Sequence, residues 1–196
     1  MLIRILLIPV FCLFLSCSAP SKFKNPHIEI QTRLGNIEVE LYPDQAPKTV
    51  AAFLSYMDSG FYENSSFYRV LRQDNQPINS DKTEFIQGGI YKSNYKRSAG
   101  LKGTPHESTQ QTKILHKDGV ISLARREPGT GTTEFFICIG DQPGLDYEGV
   151  NNEDKQGYAA FGKVVKGMDI VRKIQQRNEY EQAFDPPVDI FNIVRL

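Results

Sequence analysis

The sequence of 196 residues lacks tryptophan, has few cysteines and histidines (three of each), and carries no net charge, because 23 Lys and Arg balance 23 Asp and Glu. Without a basic excess, the chain lacks the charge pattern of a nucleic-acid-binding protein, and we expect no nucleic-acid partner. Fifteen Gly and eleven Pro are close to average usage, which excludes a low-complexity chain. The 40% of hydrophobic residues predict one domain with a substantial core.

The scarcity of cysteine and histidine also limits the chemistry. Cys12 and Cys17 lie at the amino terminus, which leaves Cys138 without a partner for an internal disulfide. Cys138 lies in an apolar, strand-like run, and we interpret it as a buried small hydrophobe. No histidine or cysteine pair has metal-site spacing, and no nucleophile elbow, phosphate-binding loop or dinucleotide motif is present. We expect neither a metal nor another cofactor.

The longest hydrophobic run covers residues 5–15, after a single positive charge. This run is well short of the ~20 residues that a membrane-spanning helix needs. A polar segment follows at once, which disfavours the alternative of a buried core element. We therefore predict an export signal peptide over residues 1–16.

The end of this run, Phe14–Cys17, resembles the lipobox of bacterial lipoproteins, although Leu is commoner than Phe at its first position. The resemblance implies that Cys17 carries lipid and that residues 17–26 form a lipid-anchored tether. The protein would then be a cell-envelope lipoprotein that faces the periplasm or another extracytoplasmic surface. A plain secretory signal with cleavage nearby is the alternative.

Hydrophobic periodicity predicts a mainly β domain after the tether. Alternating residues predict a hairpin over 28–41, and an apolar stripe predicts a helix over 46–57. A second helix is predicted over 168–174, and further strands are predicted over 66–71, 85–87, 120–124, 135–139, 159–164 and 188–196. Long polar stretches over 72–82, 91–117 and 147–157 indicate loops. Many short strands with two helices favour a β-barrel or sandwich over a parallel α/β sheet.

Seven segments, in order and at workable spacing, carry a family resemblance: Ala46–Val50, Gly60–Tyr62, Phe67–Val70, Phe85–Gly89, Ile121–Ala124, Thr133–Ile137 and Ala160–Val165. Through them the chain resembles the cyclophilins from about residue 28 to 193. The resemblance implies a closed eight-stranded antiparallel β-barrel capped by two α-helices, formed by residues 27–196. It also implies peptidyl-prolyl cis/trans isomerase activity without a cofactor.

The resemblance assigns site residues as well. Arg69 occupies the position of the catalytic arginine, whose guanidinium stays charged and presents a stiff fork of donors. Gln87 matches the glutamine that hydrogen-bonds the peptide backbone. The proline pocket corresponds to Phe85, Phe136, Leu145 and Phe161, and the remaining substrate-binding positions are Arg125, Glu134 and Tyr158.

Several of these positions depart from the common family pattern. The family often has His at Tyr68 and Tyr158, Phe at Glu84, Asn at Arg125, Gln at Glu134 and Trp at Gly144. The family residue at Arg125 contacts peptide through its backbone, so a role there is compatible with arginine. Because Arg69 and the four apolar positions are kept, we expect catalysis at proline to survive.

Two other functions stay open at this point. A non-catalytic binder or chaperone of Pro-containing segments would keep the groove without turnover. A small-molecule carrier would need an open barrel lumen, which the many large apolar residues disfavour. We favour an isomerase that assists the folding of exported proteins. Its expected partners are X-Pro-containing polypeptides and a membrane reached through the lipid on Cys17, and we expect a monomer.

Overall fold

The computed structural model describes residues 23–196, so the predicted signal peptide, Cys17 and most of the tether lie outside the described residues. Within this range, none of the helices is long and apolar enough to cross a membrane. The elements are β1 His27–Thr32, β2 Gly35–Leu41, α1 Pro47–Asp58, β3 Ser65–Leu71, β4 Phe85–Gly89, α2 Tyr91–Ser98, α3 Thr109–Thr112, β5 Val120–Leu123, β6 Phe135–Cys138, a 3-10 helix Pro143–Leu145, β7 Ala159–Lys166, α4 Met168–Gln175, β8 Glu179–Tyr180 and β9 Ala183–Arg195.

Eight strands form one closed antiparallel barrel. Their order is β1-β2-β7-β5-β6-β4-β3-β9, and pairing of β1 with β9 closes the circle. The two-residue β8 pairs with β9 outside this circle. In β1 the predicted alternation holds, since Ile28 and Ile30 are buried between partly exposed neighbours. The predicted eight-stranded barrel is confirmed.

The two predicted helices cover the barrel. Helix α1 begins with Pro47, which the first turn of a helix tolerates because its missing N–H would be unsatisfied there. Phe53 of α1 packs into the barrel interior, with ring centroids 5.0 Å from Tyr62, 5.8 Å from Phe135 and 5.0 Å from Phe161. Helix α4 packs against β2 and β4. Because rings fill the interior, the barrel has no open lumen for a carried small molecule.

The interpretation of 91–117 as a continuous loop is wrong in two places. Helix α2 has no buried residue and is interrupted at Asn94, so no apolar stripe could have indicated it. Helix α3 is one turn long and starts with a capping box between Ser108 and Gln111. That Ser-x-x-Gln pattern was a local signal for a helix start.

A second apolar cluster lies on the outer face of the barrel. Along β6, Phe135 and Ile137 belong to the interior core, whereas Phe136 and Cys138 point outward. The outward side chains pack with three others, Leu71, Phe85 and Leu145. Cys138 is free and fully buried, as predicted, and burial raises the pKa of its thiol well above the ordinary value. We call Leu71, Phe85, Phe136, Cys138 and Leu145 the outer cluster.

Candidate active site

A β-bulge in β3 places the predicted catalytic arginine on the same outer face. The register of β3 shifts between Phe67 and Arg69 against both of its neighbours, β4 and β9. Phe67 is fully buried in the interior core. Strict alternation would therefore turn Arg69 inward, two residues later. The extra residue in the bulge reverses this, and Arg69 points outward beside the outer cluster.

The guanidinium of Arg69 is held by two glutamines. Its Nη1 donates to Oε1 of Gln87 at 3.4 Å, and its Nη2 donates to Oε1 of Gln182 at 3.0 Å. Its Cζ lies 5.7 Å from the centroid of the Phe85 ring. The charged group is thus fixed at the edge of an apolar surface, with further N–H donors of its fork left over for a ligand.

Gln182 is a site residue that the sequence did not reveal. It lies in the two-residue turn between β8 and β9, where both Glu181 and Gln182 have positive φ angles of 50° and 70°. Such turns usually carry Asn or Gly, so Glu-Gln gives no signal for one. The backbone carbonyl of Gln182 also accepts a hydrogen bond from Val70, which ties the turn to β3.

Gln87 connects Arg69 to the bulged residue Tyr68. Its Nε2 donates to the Tyr68 hydroxyl at 2.7 Å, while its Oε1 accepts from Arg69. Burial raises the pKa of Tyr68 far above the ordinary value, so this hydroxyl stays neutral at working pH. The three side chains form one fixed polar row beside the outer cluster.

The predicted proline pocket is partly assembled by the outer cluster. The ring centroids of Phe85 and Phe136 lie 5.0 Å apart, and Leu145 packs beside them. Tyr158 meets Phe136 edge-on at 5.2 Å. Phe161 does not belong to this group: it lies in the interior core with Phe53, because it points inward from β7. The structure therefore does not bring Phe161 together with the other predicted pocket residues.

A buried polar chain supports the outer cluster from below. His116 is 1% exposed, and its ring stacks at 6.0 Å from Phe136 with an interplanar angle of 17°. Its Nδ1 lies 2.7 Å from Oδ1 of Asp146 and its Nε2 lies 3.0 Å from Oγ of Ser122. This arrangement suits an imidazole that donates to Asp146 and accepts from Ser122. Asp146 follows Leu145, so this polar chain supports two members of the outer cluster, Phe136 through the His116 ring and Leu145 through Asp146.

Two departures from the family pattern leave the outer cluster apolar. The carboxylate of Glu84 is bound by Gln73 and Gln175 and faces a separate polar cavity of about 560 Å³. The missing side chain at Gly144 is replaced by Asn151, whose amide contacts Thr83 and occupies the space that a Cβ on Gly144 would need. Neither feature introduces a charge among the rings.

Two of the remaining predicted residues, Arg125 and Glu134, line a second cavity of about 370 Å³, next to the polar row. Tyr68 and Gln87 are also among its lining residues. Oε1 of Glu134 accepts from the backbone N–H groups of Ile90 and Tyr91 and from the Thr133 hydroxyl, and burial raises the pKa of Glu134.

The Arg125 side chain forms its hydrogen bonds within the protein. It is 3% exposed, and it binds both carboxylate oxygens of Asp154, at 2.6 and 2.9 Å, and the carbonyl of Gly157. Its Cζ lies 5.1 Å from the centroid of the Tyr158 ring. Any contact of Arg125 with a ligand would therefore be made by its backbone.

The geometry fits an extended chain with one apolar ring. The outer cluster offers an apolar surface, Arg69 offers a fixed cation beside it, and Gln87 offers amide groups that match a peptide backbone. Within residues 23–196, no group of three or more His, Cys, Asp or Glu could hold a metal ion. The site presents hydrogen bonds and charge, without a side chain placed for covalent catalysis.

Comparison with known proteins shows similarity to one family over most of the chain. The family model described as cyclophilin type peptidyl-prolyl cis-trans isomerase/CLD matches residues 27–195. A peptidyl-prolyl cis-trans isomerase of Acinetobacter baylyi is 35% identical over 151 residues, covering 76% of this chain and 72% of that protein. Peptidyl-prolyl cis-trans isomerase A of Dickeya dadantii is 35% identical over 176 residues, covering 88% and 84%.

Solved structures agree on the fold. A cyclophilin type peptidyl-prolyl cis-trans isomerase of Cryptosporidium parvum has a TM-score of 0.67 at 21% sequence identity and covers 88% of this chain and 98% of its own. The same protein was crystallised in the presence of the dipeptide Ala-Pro, and that structure has a TM-score of 0.65. With the family model and the sequence relatives, these findings show that the chain belongs to the cyclophilin-type peptidyl-prolyl cis-trans isomerases.

Proposed function

We propose that this protein accelerates rotation about X-Pro bonds in exported polypeptides, with Arg69 as the catalytic residue. The observation that carries the proposal is the placement of the Arg69 guanidinium, fixed by Gln87 and Gln182 beside the apolar outer cluster. A prolyl ring would rest on the outer cluster, and the preceding residues would extend along the polar row.

The reaction needs transition-state stabilisation only. Amide resonance gives X-Pro rotation a barrier of ~18–20 kcal/mol and half-times of ~10–100 s. In the twisted state the prolyl nitrogen becomes pyramidal, and its lone pair becomes an acceptor. A hydrogen bond from Arg69 to that nitrogen is made only in the twisted state, so it lowers the barrier rather than merely tightening binding. The apolar surface removes water, which strengthens this bond.

The rival function is a non-catalytic binder that grips Pro-containing segments. It would use the same outer cluster but would not need an anchored cation. Two glutamines from separate elements, β4 and the turn before β9, meet the guanidinium of Arg69. A guanidinium that is oriented by two hydrogen bonds suits catalysis better than binding alone, and this favours the isomerase.

Refolding kinetics test the proposed role in folding. We expect the purified protein to accelerate the slow phase of a small protein whose refolding is limited by a non-native prolyl isomer, by about tenfold or more at a few micromolar. A binder would instead leave the rate of that phase unchanged and reduce only aggregation. The rate constant of the slow phase distinguishes the two, and an unchanged rate would overturn the proposal.

The cellular location rests on Cys17, outside the described residues. In the intact chain we expect Cys17→Ala to remove the lipid, so that the protein leaves the membrane fraction or stays unprocessed, whereas Cys12→Ala, inside the predicted signal, leaves fractionation unchanged. A single acyl chain binds membranes only marginally, so several chains or a basic patch are needed for stable anchoring. Membrane fractionation and intact mass measure both effects. Unchanged mass and location of the Cys17→Ala protein would remove the anchor from this account.

A further inference from the structure

Positive charge is concentrated around the cavity that adjoins the polar row. From Tyr91 to His106 the chain has four basic residues and no acidic one. Lys92 follows Tyr91, a lining residue, and its ammonium lies 5.9 Å from the Tyr91 ring centroid. Arg126 lines the cavity directly. We call Lys92, Lys102 and Arg126 the basic rim.

Lys102 reaches the rim from the other side. It precedes Gly103, whose Cα packs so closely on the backbone of Gly129 and Thr130 that a Cβ has no room there. The neighbouring Thr104 donates its backbone N–H to the carbonyl of Gly131 at 2.8 Å, which fixes the segment. Thr130 lines the cavity, so the backbone next to Lys102 lies near the edge of the cavity.

The three cations of the basic rim are uncompensated. All are exposed, and within residues 23–196 none of their side chains makes an ion pair or a hydrogen bond. The neighbouring arginines differ in this respect, because Arg125 is paired with Asp154 and Arg97 donates to the carbonyls of Ser59 and Gly60. The charge of the rim is therefore available to a ligand.

Acidic groups nearby offset the positive charge of the rim only in part, because one lining carboxylate stands against three cations. Glu134 is the one carboxylate among the cavity-lining residues, and three protein donors already meet its Oε1. Glu127 follows Arg126 but does not line the cavity. A guest carboxylate would therefore meet cations at the rim before it met Glu134.

The cavity is continuous with the reaction site. Tyr68 and Gln87 line it, and the same Gln87 accepts the hydrogen bond from Arg69. A polypeptide whose proline rests on the outer cluster thus reaches the basic rim within a few residues. Tyr68 and Tyr91 both line this cavity, with ring centroids 5.6 Å apart and ring planes tilted by 44°.

We propose that the basic rim selects proline-containing segments with an acidic side chain a few residues from the proline, on one side of it. This inference rests on the proposed function, since it names the substrate class of the same site. Exposed ion pairs contribute little each, so the preference comes from the combined field of three charges and weakens with salt.

Two peptide series test this selection. Both share one central Ala-Pro, and Glu, Gln or Lys is placed two or three residues before the proline in one series and after it in the other. In one series we expect kcat/KM for the Glu peptide to exceed that of the Lys peptide by about fivefold at low ionic strength, with the ratio approaching one at about 0.5 M NaCl. Equal values in both series, or a preference for Lys, which would assign the cavity to Glu134, overturn the inference.

Matched variants locate the effect. The triple variant K92Q/K102Q/R126Q is expected to bring the ratio of kcat/KM between the Glu and Lys peptides close to one. The control K48Q/K163Q/K173Q removes the same charge from other exposed positions and should keep the preference. An unchanged ratio in the first variant, or loss in both, overturns the assignment to the rim.

Two further measurements separate this inference from its alternatives. Peptide dissociation constants from fluorescence anisotropy report the charge preference without turnover, so an inactive protein that still prefers Glu refutes the isomerase and keeps the rim. Equal turnover of all peptides refutes only the rim. Binding to phosphatidylglycerol vesicles but not to phosphatidylcholine vesicles, without any peptide preference, would assign the rim to lipid headgroups and overturn the inference.

Discussion

Replacement of Arg69 by Ala is expected to lower kcat/KM for an X-Pro peptide by about a hundredfold or more, the size seen when one preorganised transition-state donor is removed. The loss should fall on kcat, because the hydrogen bond to the prolyl nitrogen exists only in the twisted state. Arg69→Lys keeps the charge but loses the fork that Gln87 and Gln182 orient, so we expect it to recover no more than roughly a tenth of the activity.

Steady-state rates with a chromogenic X-Pro peptide, together with circular dichroism of each variant, measure this effect. Arg33→Ala is a suitable control, since that residue forms an exposed ion pair with Asp189 away from the site. We also expect the wild-type rate to be nearly flat from about pH 6 to 9, because a guanidinium stays charged and burial keeps Tyr68 neutral. Arg69→Ala protein with more than half the wild-type kcat would disprove the assigned role.

Replacement of His116 by Ala is expected to destabilise the protein by about 3 kcal/mol, or roughly 6–12 °C in Tm for a chain of this size. The change leaves the carboxylate of Asp146 and the fully buried hydroxyl of Ser122 without their shared partner. It also removes the ring on which Phe136 stacks. Because Phe136 and Leu145 then lose support, KM should rise more than kcat falls.

Thermal unfolding and steady-state kinetics check this expectation. His106 provides the control: it is partly exposed and makes one hydrogen bond to the carbonyl of Gln156, so His106→Ala should cost about 1 kcal/mol or less. Ser122→Ala removes one bond of the chain and should fall between the two. A His116→Ala protein as stable as His106→Ala, with an unchanged KM, would show that the polar chain does not support the outer cluster.

The individual strands and the two capping helices could be predicted because their signals are local, whereas the closed eight-stranded barrel was implied by the family resemblance. Alternation in residues 28–41 and the apolar stripe of α1 appear within short windows, and both elements formed as expected. Helix α2 could not be predicted because it has no buried residue and therefore no apolar face in its sequence. Tertiary contacts hold it in place. Its first turn is fixed instead by Glu134, which accepts from Ile90 and Tyr91 across 44 and 43 residues of sequence.

The site residues could be predicted only in part, because they were assigned from family positions rather than from local patterns. The resemblance assigned Arg69, Gln87, Phe85, Phe136 and Leu145 to the site, and the structure brings these residues together. A family position does not by itself say which face of a strand a side chain takes in this chain. Phe161 lies in the interior core together with its neighbours Ala159 and Ala160, apart from the other predicted pocket residues.

The contacts that position the site residues join distant parts of the sequence. Gln182 lies 113 residues from Arg69, and Asp146 lies 30 residues from His116. The bulge that turns Arg69 outward depends on the registers of two neighbouring strands. None of these is visible in a local pattern, because each arises only when the barrel closes.

The most direct test of the central claim is NMR exchange spectroscopy of an Ala-Pro peptide with substoichiometric protein. The cis and trans forms give separate signals, and uncatalysed exchange takes ~10–100 s. With wild-type protein we predict exchange cross-peaks between the two forms within a fraction of a second, and their absence with Arg69→Ala protein that still binds the peptide. Broadened signals without cis-to-trans exchange in the wild type would contradict this account and identify the protein as a binder.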